Sequence, residues 1–216
     1  FLTDSTNNTT SLFQCGINAV NPTANVPTYF NAPIANYSGI LYNGTTQYAI
    51  MNFNPTGDAN WALTSATIMV YNGINVTGRM LGMRNNAIST LQNIYMDPST
   101  NGAFGSGVND STAGLTFSGL DALGFFASYR NANNSTKYYF RNNNTILTQT
   151  GVAANGIPDV NMYEGGFTLD GGTTISSFSN TRPQFILIGG GMTDSEVDSI
   201  QVIVNNLQGS IDTLFG

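Results

Sequence analysis

Short runs of alternating apolar and polar residues, rich in β-branched and aromatic side chains, recur along this chain at spacings of about eight to twelve residues. That spacing leaves room for strands and tight turns but not for the crossover helix of a βαβ unit. The runs are TQYAIMNF (46–53), WALTSATIMVY (61–71), GRMLGMR (78–84), STLQNIYM (89–96), AGLTFSG (113–119) and LGFFASYR (123–130). Turn chemistry falls between them, at Pro55-Thr56-Gly57-Asp58, Asn72-Gly73, Asn85-Asn86 and Pro98 to Gly102. The clearest hairpin is FFASYRNANNSTKYYFRNNN, with a polar turn at Asn131 to Thr136 and a second at Asn142 to Asn144. Asn accepts left-handed backbone and bonds its own chain, so it serves turns by mechanism. An all-β fold of two packed antiparallel sheets is expected. Residues 1–25 are polar and weakly periodic and read as an arm or linker. Residues 26–216 read as one β domain, within the size one core can serve.

The end of the chain changes period. Phe185-Ile186-Leu187-Ile188 is apolar on both faces, as in a strand buried at the centre of a sandwich, and Gly189-Gly190-Gly191 breaks it. Thr193-Asp194-Ser195-Glu196 then spells a capping box: the Thr193 hydroxyl accepts from the Glu196 amide, and the Glu196 carboxylate accepts from the Thr193 amide. Met192 and Val197 occupy the staple positions, while Asp194 and Glu196 suit the positive end of the helix dipole. Val197, Ile200, Val204 and Leu207 follow at helical spacing, so a short helix is expected to lay one apolar face on the sandwich.

Composition excludes several functions. Net charge is −6 with only six Lys and Arg (Arg79, Arg84, Arg130, Lys137, Arg141 and Arg182), scattered along the chain. No nucleic-acid partner is expected, because phosphate binding needs clustered cations. Charged residues total 8%, so solubility rests on amides and hydroxyls. His is absent, which removes the usual general base and zinc ligand. Cys15 is the single cysteine, so no intrachain disulfide forms. No apolar run approaches the ~20 residues of a membrane helix, and no membrane insertion is expected. The start at Phe1 reads as a fragment or processed product. Asn-x-Ser/Thr triplets at Asn36, Asn43, Asn75 and Asn109 fit either glycosylation or chance in an Asn- and Thr-rich chain, and chance is preferred.

The closing segment FILIGGGMTDSEVDSIQVIVNNLQGSI resembles the last strand and helix of concanavalin A-like (laminin-G-like) jelly rolls found in phage and bacterial surface proteins. FFASYRN, KYYFRNNNTI, GGFTLDGG and, upstream, YSGILYNGTTQYAIMNFNP are similar to earlier strands of that family, over roughly residues 37–208. The resemblance implies a jelly-roll sandwich with a C-terminal helix. It also implies sugar binding, adhesion or a structural role on a virion or other extracellular surface, with fold alone unable to choose. A smaller branch of the family cleaves glycans through a Glu-x-Asp-x-(x)-Glu strand. This chain has only Glu164, in NMYEGGF, and Glu196, already explained as a cap, so no enzymatic activity is expected. No Gly-x-Ser-x-Gly elbow accompanies its serines, and GAFGSGV reads as a flexible turn.

Two binding sites are expectations. Aromatic platforms with planar amides suit sugars, and Tyr129, Arg130, Asn131, Asn133, Tyr138 and Arg141 offer them around the hairpin. Tyr138 and Tyr139 must face opposite sides of a strand, and Trp61 reads as core. No cofactor is required, although calcium is possible, since DPSTNG and VNDSTAG place Asp97 and Asp110 among oxygen donors. The expected function is a non-enzymatic virion or surface module, a phage fibre or receptor-binding domain for host-surface glycan. The alternative is a decoration or assembly domain that meets neighbouring virion proteins, and glycan cleavage ranks third. Oligomerisation, as a trimer, follows only from the fibre analogy.

Overall fold

The computed structural model describes residues 24–36, 38–85, 92–98, 104–110, 121–132, 135–140, 145–150, 153–168, 171 and 174–215. Strands appear where the sequence alternates. In chain order they are β1 (Thr28–Phe30), β2 (Ile34–Asn36), β3 (Gly39–Leu41), β4 (Tyr48–Ile50), β5 (Ala66–Asn72), β6 (Leu81–Asn85), β7 (Gln92–Pro98) and β8 (Phe104–Asp110). They continue with β9 (Gly124–Ala132), β10 (Ser135–Phe140), β11 (Thr145–Thr150), β12 (Tyr163–Glu164), β13 (Gly166–Thr168), β14 (Ile175–Phe178) and β15 (Pro183–Gly189). Helix α1 (Asp194–Phe215) closes the chain. The expected arm and AGLTFSG lie outside the described residues, as does Cys15.

Two large antiparallel sheets form, in the orders β1-β4-β12-β6-β7-β8 and β11-β10-β9-β5-β15. Two small hairpins, β2–β3 and β13–β14, accompany them. GAFGSGV, expected as a flexible turn, is instead mostly strand β8, paired with β7. Glycine weakens a strand without forbidding one, and a neighbour already in place supplies the ladder. The FFASYR hairpin is tighter than expected, because β9 continues to Ala132 and β10 resumes at Ser135. Asn25, Asn31, Asn52 and Asn109 have positive φ, all outside the turns expected from the sequence, whereas Asn72, Asn85 and Asn131 lie in strands and Asn142 to Asn144 lie outside the described residues.

Side-chain alternation on the middle strands builds two cores on opposite faces of one sheet. Ala66, Ile68 and Val70 of β5 and Phe126 of β9 face the six-stranded sheet, where Leu81, Met83 and Val108 meet them. Phe53 and Trp61 close one end of this core with rings 5.7 Å apart in an edge-on contact. Met69 of β5 with Phe125, Ala127 and Tyr129 of β9 face the other way, against Val197 and Val204 of α1. The molecule is therefore three layers deep at this point: sheet, sheet and helix.

That layering explains the apolar run before the helix. Ile186 and Ile188 pack on the inter-sheet core, whereas Phe185 and Leu187 pack on the helix-side core. β15 is nonetheless an edge strand beside β5 and not the sandwich centre the run implied. Apolarity on both faces reports the two layers above and below, and says nothing of lateral position.

The capping box forms. The Thr193 amide donates to Glu196 Oε2 at 2.8 Å, and the Glu196 amide donates to Thr193 Oγ1 at 3.4 Å. The helix is not short, however; it runs 22 residues, through Gly209. Its buried face also departs from expectation beyond Val204, because Gln208 is buried where Leu207 was expected, and Leu207 points outward.

Candidate functional site

The proposed sugar platform divides between the two cores. Tyr129, Arg130 and Asn131 are consecutive on β9, which lies between β10 and β5 and is covered on both faces. Tyr129 is fully buried beneath α1, and its phenol donates to Asp194 Oδ1 at 2.9 Å. Arg130, pointing oppositely, is also fully buried, and its Nε donates to the Val108 carbonyl at 3.0 Å, joining the two large sheets. Neither side chain has a face open to a sugar. Asn131 is exposed, and its Nδ2 donates to the Met192 carbonyl at 3.3 Å. Tyr129 and Asn131 thus hold the start of α1, together with Ser65, whose Oγ accepts from the Gly191 amide at 2.9 Å. The reason is tertiary: helix packing removes from solvent a strand face that alternation alone leaves unassigned. Tyr138 pairs with Ser128 and Leu147 in the sheet, while Asn133 and Arg141 lie outside the described residues.

The oxygen donors considered for calcium are held apart by register. Asp97 pairs with Gly105 and Asp110 with Asn93, at opposite ends of the β7–β8 ladder. Four residues of strand separate them by roughly 13 Å, too far for one ion at its ~2.4 Å ligand distance. Among the described residues, no group of three or more His, Cys, Asp or Glu is placed to hold a metal.

Asn54, Thr56 and Asp159 meet by a different logic. Asn54 Nδ2 and Thr56 Oγ1 donate to Asp159 Oδ1 at 2.9 and 2.8 Å, and Asn54 also caps the 3₁₀ turn Pro55–Gly57. Those bonds, Asn54 first, hold the Asp159 carboxyl below its usual range. The cluster ties a surface turn to the segment before β12. Asn109 plays a similar part inside: its Oδ1 accepts from Trp61 Nε1 at 3.1 Å, and its Nδ2 donates to the Ala62 and Leu63 carbonyls. Asn109 is fully buried, so this sequon presents no free amide.

Both glutamates have structural surroundings. Glu196 is drawn into the cap, where the Thr193 amide and then its hydroxyl lower its pKa. Glu164 is buried on β12, opposite Ala49 and Leu81, and burial pushes its carboxyl up to about 7. A hydrogen bond with Tyr42 pulls in the other direction. Gly165 follows at φ +67°, and its Cα faces the Tyr42 ring so closely that a Cβ would sit 2.5 Å from Cγ. The acid therefore lies in a closed aromatic niche and not in a cleft.

Two surface features were not anticipated. Phe30 and Tyr48 stack at 4.5 Å with an interplanar angle of 7°, both half-buried, and Tyr163 and Phe178 lie 6.2 Å from Tyr48. The pairing of β1 with β4, which creates this stack, joins residues some 18 apart and is not a local signal. The second feature is the outer face of α1, where Val202, Ile203, Leu207 and Leu214 are 53%, 64%, 56% and 72% exposed. Ile203 stands one helical turn before Leu207, but Leu207 was itself read into the buried seam, so the spacing pointed inward. Comparison with protein-family models found no match, and comparison with curated proteins found none either.

Proposed function

We infer that the chain is a non-enzymatic, concanavalin A-like jelly-roll module of a virion or other extracellular surface, and that it works by assembling with neighbouring protein subunits. The observation that carries this reading is the apolar outer face of α1. Ile203, Leu207 and Leu214, each more than half exposed on one side of the helix, mark a surface that gains by being covered. No charged residue lies between Asp198 and Asp212 on that helix. Interface centres are similarly poor in charge. Both glutamates serve structure, one as a helix cap and one in a closed niche, which favours binding over glycan cleavage.

Labelling of carboxylates tests the reading directly. Asp198 and Asp212 are exposed on α1 and bracket its uncharged stretch. They react freely in the dilute purified chain and are protected in the native particle or surface layer. Equal reactivity in both settings overturns the assembly reading.

Recognition of host glycan is the second reading, and the half-buried Phe30–Tyr48 stack favours it, since aromatic rings are the usual sugar platform. A glycan array screened with the purified domain, with and without calcium, tests it. Saturable binding lost in Tyr48→Ala supports the glycan reading, and a blank array with folded protein removes it.

A further inference from the structure

Hairpin β2–β3 stands apart from both large sheets among the described residues. Its underside is a small apolar cluster of Ala35, Ile40 and Tyr42, which rests on Tyr29 of β1. Left-handed backbone brackets the hairpin: Asn31 and Ala32 lead in at φ 57° and 46°, and Gly44 leads out at φ 71°. Gln47 clamps these two ends together. Its Nε2 donates to the Asn31 and Ala32 carbonyls at 2.9 and 3.0 Å, and its amide donates to Asn43 Oδ1 at 3.1 Å. A hairpin fixed at its base and bounded by such turns has the build of a hinged flap.

Beneath the flap lies Glu164. Tyr42 closes its niche from the hairpin's side, and the residues opposite it on β4 and β6 are the fully buried Ala49 and Leu81. Tyr48 and Tyr163, the phenols beside Ala49 and Glu164, alternate to the other face, where their rings lie 6.2 Å apart. Arg79, before β6, is turned to the Phe167 ring at 4.2 Å, and Arg84 alternates away from Leu81. Among the described residues, Tyr42 is the titratable group that bears on the acid, and neither these arginines nor Arg182 before β15 offsets its charge. We propose that the β2–β3 hairpin is a proton-operated lid, closed over Glu164 while the acid is protonated and lifted when the proton leaves.

The walls of the niche differ in how firmly they are held. A protonated carboxyl is a neutral group that the niche tolerates, but an ionised one must reach water or a cation. β4 and β6 are laddered to β12 on either side, so neither moves without breaking sheet bonds. The hairpin shares no such ladder with that sheet. Its Tyr42 amide donates to the Thr181 carbonyl at 3.4 Å, a long bond, and Gly39 abuts the Pro183 carbonyl. The hairpin therefore gives way first. Because the acid titrates at about 7, the lid is closed below neutrality and open above it. Opening uncovers Ala35, Ile40 and Tyr42 together with the Pro183 end of edge strand β15, so the surface offered to partners differs on the two sides of neutral pH.

Amide hydrogen exchange of the full chain at pH 6 and at pH 8.5, each rate divided by the intrinsic rate at that pH, tests the proposal. Protection in residues 33–42 is expected to fall by roughly tenfold or more across that range, while Phe125 to Tyr129 of β9 keep theirs. Glu164→Gln holds the lid closed at both pH values. Tyr42→Phe keeps the ring but removes the phenol that favours the ionised acid, so the opening midpoint moves to higher pH. A merely structural role for Tyr42 leaves that midpoint fixed, so this variant decides the matter even where Glu164→Gln fails to fold. Equal loss of protection in residues 33–42 and 125–129 means unfolding of the whole domain, and overturns the lid. Protection that does not change with pH, or that falls just as far in a folded Glu164→Gln, also overturns it.

Discussion

Tyr129 and Asp194 are 65 residues apart, and one hydrogen bond of 2.9 Å between phenol and carboxylate joins the middle strand of a sheet to the first turn of the helix that covers it. Asp194 sits where the helix dipole favours negative charge, so the phenol donates to a carboxylate already stabilised in place. The bond turns residues that resemble a sugar platform into a fastening for α1.

Tyr129→Phe removes that donor while keeping the ring. A hydrogen bond to a charged group contributes about 1.5–3 kcal/mol, so stability falls by roughly that amount in urea denaturation. Amide exchange accelerates first in residues 194–200. Any glycan binding by the domain stays unchanged, and a selective loss of sugar affinity would contradict the buried role of Tyr129.

Glu164 makes stability depend on pH. Its folded pKa of about 7 stands above the ordinary value of 4.5, so the folded state holds a proton the unfolded chain releases. The acid's contribution is fully present below pH 4.5, falls as pH rises between 4.5 and 7, and is lost above 7. At 1.36 kcal/mol per pKa unit the change is roughly 3 kcal/mol. Denaturation midpoints measured at pH 5 and pH 8 drop accordingly in the wild type, and Glu164→Gln flattens the profile. An unchanged slope in Glu164→Gln would assign the dependence to other groups.

Gly165→Ala drives a methyl into the Tyr42 ring and places a side chain at φ +67°. Strain and overpacking each cost about 1–3 kcal/mol, so a loss of roughly 2–4 kcal/mol is expected. Tyr42→Ala relieves the clash in the double variant, which loses less than the sum of the two singles. Additive losses would mean that the backbone angle alone sets the cost.

Asp97 and Asp110 lie too far apart along β7–β8 to share an ion, so a calcium site that uses either relies on one of them alone. Differential scanning calorimetry with calcium and then with chelator, on the wild type, Asp97→Asn and Asp110→Asn, checks this. Loss of a calcium-dependent rise in both variants would contradict the separation, since a ligand bound only to the folded state must raise its stability.

The legible parts of this protein were those written locally. Strands within the runs 61–71, 78–84 and 123–130, although β5 begins only at Ala66 and β6 at Leu81, and the Thr193–Glu196 cap could be read from the residues because period and capping act within a few positions. Trp61 was read as core and is buried. The lateral place of β15, the strand character of GAFGSGV and the exposure of Leu207 could not be read in the same way, because each depends on which element lies alongside.

By itself the sequence determined an antiparallel β-rich chain closed by one capped helix, and it withheld the means for a disulfide within the chain, for imidazole chemistry and for a clustered phosphate site. Tertiary structure decided which side of each element faces water. On β9 the odd residues lie under α1 and the even ones between the sheets. On α1 the seam turns so that Gln208 goes in and Leu207 out. Alternation and helical spacing say that two faces differ, but only the layer packed against an element says which face is the inside.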